Sequence, residues 1–180
     1  MKTTTRVILT VLLCAAAAAC TKKVKDNPQD GSTVGGDPTT QPSTGNDLPN
    51  SGPTRTGAYG PGDLDTDACL RQRVVYFDLD QDALKPEFQN IVACHAKYLR
   101  DRPSARMSLE GNADERGSRE YNIGLGERRG NAVSSAVQAN GASGGQITVV
   151  SYGEERPTCT DSSEDCWSQN RRVEIVYSAK

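Results

Sequence analysis

Met107-Ser108-Leu109-Glu110-Gly111-Asn112-Ala113-Asp114-Glu115-Arg116-Gly117-Ser118 runs directly into Arg119-Glu120-Tyr121-Asn122-Ile123-Gly124-Leu125-Gly126-Glu127-Arg128-Arg129. The apolar period changes inside this stretch. Met107 and Leu109 alternate with polar neighbours, the pattern of a strand with one buried face. Asn112 to Gly117 is largely polar and reads as a loop. Ser118 is placed to cap a helix, which runs to about Ala139 before Asn140-Gly141 supplies a left-handed end.

Working outward, the alternation of element types continues. Upstream, Arg73-Val74-Val75-Tyr76-Phe77 is β-branched and aromatic and reads as a strand. Pro86 stands at a helix N1 position. Phe88, Ile91, Val92, His95 and Leu99 then recur at helical spacing until Arg102-Pro103 ends the run. Downstream, Ile147 to Val150 reads as a third strand. Glu154 to Gln169 is a loop with a short helix near Trp167, and Arg172 to Tyr177 closes as a fourth strand. Strands alternating with helices predict an α/β fold: a βαβαββ sandwich, one four-stranded mixed sheet with its helices on one face. This domain is expected over residues 69–180.

The N-terminus carries a different signal. Lys2 and Arg6 precede an apolar run from Val7 to Ala19 that is too short for a membrane span of about 20 residues. A basic start, an apolar centre and the small residues Ala17, Ala18 and Ala19 make residues 1–19 a secretory signal. Cys20 follows the small residues at once, so it is the expected lipidation site of a bacterial lipoprotein. Ala17 departs from the Leu usual three residues before such a cysteine. Leu13 is too large to make Cys14 the alternative. Acyl chains contribute about 0.8 kcal/mol per buried CH₂, so several chains hold a protein on a bilayer. Residues 20–68 are then the lipidated cysteine and a linker rich in Gly, Pro, Ser, Thr, Asn and Asp. Its few large apolar residues, Val24, Val34, Leu48 and Tyr59, are isolated, the composition of a disordered tether. A coil of that kind spans about 5–6 Å × √n, or roughly 40 Å.

Composition narrows the function. The formal net charge is −2 with no basic block, which argues against nucleic acid as a partner. One histidine makes His-based zinc sites and Ser-His triads poor candidates. Of six cysteines, Cys14 leaves with the signal and Cys20 is acylated. Cys69, Cys94, Cys159 and Cys166 remain, an even number in an exported chain, which points to two disulfides.

Several motifs resemble chemistry and fail on spacing. Asp78-x-Asp80-x-Asp82 begins like a calcium loop but has Ala83 and Gln89 where Gly and Glu are required. Gly124-x-Gly126-x-x-x-Gly130 lies within a helix and lacks dinucleotide-loop spacing. Cys94 and His95 are adjacent on a helix and do not face each other. His95 shares the apolar stripe with Ile91 and Leu99, so it is expected to be buried and hydrogen-bonded. No metal, cofactor or catalytic residue emerges.

Arg129 does not fit an ordinary helix. Leu125, Ala132, Val133 and Ala136 form the inner stripe, and Arg129 falls in the same arc at about 100° per residue. A guanidinium there must reach a partner or a ligand. An internal salt bridge and an anion clamp both satisfy that requirement. Glu127 points outward and Arg128 lies at the stripe's edge.

Over roughly its last 110 residues the chain resembles the OmpA-like domain family, most closely the peptidoglycan-associated lipoprotein (Pal) branch. The resemblance is carried by Glu110 to Gly117, Glu120 to Arg129, Val150 to Glu155, Asn170 to Val173 and Tyr76 to Asp80. The signal and linker match the lipoprotein branch rather than the porin or flagellar-stator members. Asn112 stands where many members have His, and Gly130 where Ala is usual. Gly in mid-helix weakens it by up to about 1 kcal/mol.

The resemblance implies a binding module without catalysis, whose ligand is the meso-diaminopimelate of the peptidoglycan stem. The family's aspartate falls on Asp114 and its arginine on Arg129. The loop at Leu79 and Asp80 is expected to offer backbone N–H groups to a ligand carboxylate. The resemblance also implies TolB, of the Tol-Pal system, as a second partner, and an outer-membrane location facing the periplasm. Thr21 after the lipidated cysteine agrees with that location, since aspartate there retains lipoproteins in the inner membrane. Some OmpA-like domains carry a bridge where Cys159 and Cys166 fall, which leaves Cys69 for Cys94. The alternatives are a module acting mainly through TolB and a cell-wall hydrolase drawing on Glu110, Glu115 and Glu120. The solvated loop and the single histidine argue against the hydrolase.

Overall fold

Alternation of buried and exposed side chains places β2 (Arg106–Asn112) at the centre of a four-stranded sheet. The computed structural model describes residues 55–180. The signal, Cys20 and residues 20–54 of the linker lie outside the described residues. Ahead of β2 come a short helix α1 (Asp63–Thr66), strand β1 (Val74–Tyr76) and helix α2 (Gln89–Asp101). After it come α3 (Arg119–Ala139), β3 (Ile147–Gly153), α4 (Glu164–Asn170) and β4 (Arg172–Ala179). The strand order is β1-β4-β2-β3. β4 pairs antiparallel with both β1 and β2, and β2 pairs parallel with β3 across the α3 crossover. The expected βαβαββ order stands, with α4 inserted in the last connection.

The period of two sorts the strand residues. Val75, Met107, Leu109, Val173 and Ile175 are buried under the helices, whereas Glu110, Glu174 and Val176 face the other way. Pro86 opens a 3₁₀ turn, Pro86–Phe88, that feeds α2. α2 buries Ile91, Val92, Cys94, Ala96, Tyr98 and Leu99, a wider face than the spacing predicts. His95 is fully buried among them. Its Nδ1 lies 2.9 Å from the Tyr177 hydroxyl and its Nε2 2.9 Å from the Gln72 carbonyl. The carbonyl can only accept, so Nε2 carries the proton and Nδ1 accepts from Tyr177. Burial holds the imidazole pKa down to about 4.

α3 begins as expected: Ser118 Oγ accepts from the Tyr121 N–H at 3.2 Å. Its glycines have a purpose that the sequence reading missed. A Cβ on Gly126 would lie 2.4 Å from Ser151 Oγ and 2.8 Å from the Gly111 carbonyl oxygen. A Cβ on Gly130 would lie 2.5 Å from Val149 Cγ1. These positions let the helix backbone settle onto β2 and β3. The helix-weakening reading of Gly130 therefore omits the packing that its missing side chain permits.

The structure also corrects the domain start. The expected boundary was Cys69, with Tyr59 an isolated apolar residue of the linker. Instead Tyr59 is 4 % exposed, and Leu64 and Leu70 are wholly buried. The Tyr59 N–H donates to Asp101 at 2.9 Å, and its ring meets Tyr98 at 6.1 Å. A sparse apolar pattern hides this segment because it packs through single residues rather than a periodic face. Cys69 is bonded to Cys94, which ties the segment to α2, and Cys159 is bonded to Cys166 at the entry to α4.

Candidate functional site

Three pieces of chain converge at one end of the sheet: the turn after β1, the loop after β2 and the inner face of α3. The turn is closed by the Gln81 N–H donating to the Asp78 carbonyl at 3.2 Å. Asp80, its third residue, has φ 56°, a conformation that Asp tolerates better than most side chains. Its carboxylate accepts a hydrogen bond from the Tyr121 hydroxyl, which pins the turn to α3 and raises the Tyr121 pKa. Leu79 is 52 % exposed. Among the described residues neither the Leu79 nor the Asp80 N–H donates to an acceptor.

β2 is broken where the site begins. Its register with β3 shifts between Gly111 and Asn112, and the Ala113 N–H donates to the Gly153 carbonyl at 2.7 Å. A bulge of this kind re-aims the side chains beyond it. Asn122 of α3 then holds the loop by donating to the Asp114 carbonyl at 3.1 Å and to Glu154 at 2.5 Å.

Arg129 resolves its burial in a way that neither sequence alternative foresaw. It is 0 % exposed, and its donors go to backbone carbonyls. Nε donates to Gln81 at 2.8 Å, Nη1 to Asn112 at 2.9 Å and Nη2 to Asp78 at 3.0 Å. One side chain thus clamps the turn to the end of β2. The internal salt bridge considered from sequence is not what satisfies it. Burial lowers its pKa to about 10, so it is still cationic at neutral pH. Carbonyls satisfy donors without cancelling charge. Of five guanidinium N–H groups, three are used here, so the positive field persists.

Asp114 is also buried, and it carries two arginines. Oδ1 accepts from the Arg116 backbone N–H and Nε, each at 3.1 Å. Oδ2 accepts from Arg116 Nη2 at 2.7 Å and from Arg171 Nη1 at 3.1 Å. Burial alone would raise its pKa, but the hydrogen bonds from Arg116 and Arg171 outweigh it and hold the carboxyl low. Arg171 also donates to the Phe77 carbonyl at 3.1 Å and to Glu164 at 2.5 Å. Arg116 and Arg171 were not singled out from sequence. Arg171 had a signal, lying in the Asn170–Val173 run, but nothing local gave it a partner. Arg116 stands two residues after Asp114 in a polar loop and looked solvated.

Leu79, Asp80, Asp114 and Arg129 all line one cavity of about 390 Å³, together with Arg116, Tyr121 and Leu125. It therefore holds a carboxylate, guanidinium groups and a turn with free amide donors, a set suited to a small zwitterion. The calcium-like aspartates point to separate partners. Asp78 pairs with Lys85 at 2.6 Å, Asp80 with Tyr121, and Asp82 with Arg128 at 3.1 Å. Glu110 pairs with Arg156 at 2.9 Å, while Glu115 accepts from Trp167 and Ser162.

Comparison with known proteins agrees with this architecture. The OmpA family model matches residues 76–171. The chain is 43 % identical to a peptidoglycan-associated lipoprotein of Pseudomonas putida, over 91 % of each chain. It is 40 % identical to the Haemophilus influenzae protein of that name, over 75 % of this chain and 86 % of the relative. The crystal structure of the peptidoglycan-associated lipoprotein from Burkholderia pseudomallei superposes with a TM-score of 0.63 at 38 % identity, covering 64 % of this chain and 98 % of that one. The C-terminal domain of Helicobacter pylori MotB shares the fold alone, with a TM-score of 0.55 at 22 % identity over 59 % of this chain and 84 % of that one. The chain belongs to the OmpA family and, within it, to the peptidoglycan-associated lipoproteins.

Proposed function

We propose that this chain is an outer-membrane lipoprotein that binds the diaminopimelate-containing stem of peptidoglycan without cleaving it, and so ties the membrane to the wall. The carrying observation is the meeting of Asp114, Arg129 and the Leu79–Asp80 turn in one cavity of about 390 Å³. That volume suits a small ligand. meso-Diaminopimelate offers an ammonium and a carboxylate on one carbon. The ammonium is placed at Asp114. The carboxylate is placed in the field of Arg129, against the N–H groups of Leu79 and Asp80. The relatives' printed name supports peptidoglycan as the polymer. The lipid anchor is assigned to Cys20, with the folded domain in the periplasm. TolB is the proposed second partner, within a Tol-Pal system.

Co-sedimentation of the purified protein with isolated sacculi tests the reading. The protein is expected in the pellet and is expected to be released by free meso-diaminopimelate. A protein that stays in the supernatant with sacculi alone would exclude wall binding. Release by an unrelated diamino acid as readily as by diaminopimelate would exclude the stem assignment.

A further inference from the structure

Arg116 occupies the place that the proposed ligand's cation needs. Its guanidinium meets both oxygens of Asp114, through Nε at 3.1 Å and Nη2 at 2.7 Å. The other arginine on Asp114 differs in every respect that governs movement. Arg171 has a side chain only 6 % exposed, and it is fixed by the Phe77 carbonyl and Glu164 as well as by Asp114. It touches Oδ2 only. The Arg116 side chain is 33 % exposed and comes from the polar loop after β2. Among the described residues, apart from that side chain, Oδ1 receives only the backbone N–H of the same residue.

A second resting place for Arg116 is already built beside it. Glu164 Oε2 lies 3.5 Å from Arg116 Nη2, and this carboxylate is 60 % exposed. The Trp167 ring lies 4.2 Å from the guanidinium carbon, near enough for a cation–π contact. Both come from α4, so the guanidinium can leave Asp114 and still keep a carboxylate and an aromatic face. A guanidinium and a primary ammonium compete for the same lone pairs on Oδ1, and both cannot hold them.

We propose that Arg116 is a displaceable internal cation that closes the Asp114 half of the site until a ligand ammonium replaces it. This rests on the function proposed above and adds a selectivity to it. A ligand with a carboxylate but no amine leaves Arg116 in place and gains nothing from Asp114. A ligand with both groups moves Arg116 onto Glu164 and Trp167. Apparent affinity is the intrinsic affinity scaled by the fraction of molecules in the open state. Removing the latch therefore strengthens binding of the amine ligand.

Calorimetric titration of the full-length protein with meso-diaminopimelate, and with pimelate as its amine-free counterpart, tests this. Arg116→Ala is expected to bind meso-diaminopimelate roughly tenfold more tightly than wild type, as for a latch open about a tenth of the time. Pimelate binding should hardly change. Glu164→Gln, which removes the resting place, is expected to weaken meso-diaminopimelate binding. Weaker or unchanged binding by Arg116→Ala, with a preserved melt, would overturn the latch. If Arg116→Ala does not fold, the Glu164→Gln result decides: unchanged or tighter binding overturns the latch. Asp114→Ala separates the two readings. If it binds like wild type, the site assignment itself fails. If it loses binding while Arg116→Ala gains none, only the latch fails.

Discussion

Gly111 of β2 and Gly126 of α3 meet backbone to backbone: a Cβ added to Gly111 would lie 1.9 Å from the Gly126 carbonyl oxygen and 2.6 Å from its carbon. Neither partner is a side chain that can swing aside, so helix and strand would have to separate. Gly111→Ala is expected to destabilise the domain by at least about 3 kcal/mol, at the upper end of overpacking costs. Gly130→Ala meets only the Val149 side chain, at 2.5 Å, and gains up to about 1 kcal/mol of helix propensity. It is expected to be milder, and Val149→Ala should restore it. Urea denaturation of both single variants and the double variant checks this; additive effects of Gly130→Ala and Val149→Ala would rule out the contact.

Arg129→Ala is expected to damage fold and ligand binding together. It strips donors from the carbonyls of Asp78, Gln81 and Asn112, which hold the turn against β2. Leaving a buried acceptor unsatisfied costs about 1–3 kcal/mol. A lysine cannot reach three divergent acceptors, so Arg129→Lys should recover only part. Arg128→Ala removes an exposed pair with Asp82 and should shift the melt little, by under about 1 kcal/mol. A melt of Arg129→Ala equal to wild type would contradict the clamp.

Stability should fall on mild acidification because of His95. The unfolded imidazole titrates near 6.5, while burial holds the folded one to about 4. Between those values the unfolded chain binds a proton that the native state refuses, so stability is lost as pH drops from about 6.5 to about 4. Below that window this group adds no further loss. The change across it is about 3 kcal/mol. Denaturation midpoints at pH 7, 5.5 and 4.5, compared with His95→Gln, measure the slope. An equal slope in both proteins would remove His95 as its source.

The two disulfides should differ in worth. Cys69–Cys94 spans 25 residues and Cys159–Cys166 spans 7. Loop-closure entropy then assigns about 3.5 kcal/mol to the first and about 2.4 kcal/mol to the second. Paired Cys→Ser variants are expected to follow that order in thermal melts. The second pair should also perturb ligand binding, because it lies next to Ser163 and Glu164 at the start of α4. An effect of Cys159/Cys166 removal on stability alone would disconnect that bridge from the site.

Cys20→Ser is expected to convert the protein from a membrane-bound to a freely soluble periplasmic form. Osmotic-shock fractionation and immunoblotting read the outcome. A mutant that still sediments with outer membrane in the presence of free diaminopimelate would show that acylation is not its anchor.

Much of this molecule is visible in the order of its residues because the causes are local. Alternation at Met107 and Leu109, the cap at Ser118 and the strand-forming residues of Arg172–Tyr177 each act within a few positions. The anomaly of Arg129 is local too, since helical spacing alone puts it on the buried face. What it grips is not local: its acceptors lie 17 to 51 positions away. Arg171 reaches Asp114 across 57 positions and Phe77 across 94. The burial of Tyr59 and Leu64 is not legible in the sequence because one ring and one isobutyl group carry no period. The packing role of Gly130 is hidden for a related reason, as propensity describes a helix alone and not the sheet beneath it.

The Cys69–Cys94 bond bears on how the molecule carries mechanical load. A protein anchored at its N-terminus and gripping a rigid polymer elsewhere is pulled whenever the two supports separate. Tension arriving along the chain meets Cys69 before it meets β1, a strand of three residues at the sheet's edge. From there a covalent shunt leads to Cys94 in the middle of α2. Everything between those cysteines lies within a closed loop and cannot be drawn out, and that includes the Asp78–Gln81 turn. Peeling of the edge strand, the cheapest way to unravel such a sheet, is therefore bypassed. The force is delivered instead to α2, through Cys94.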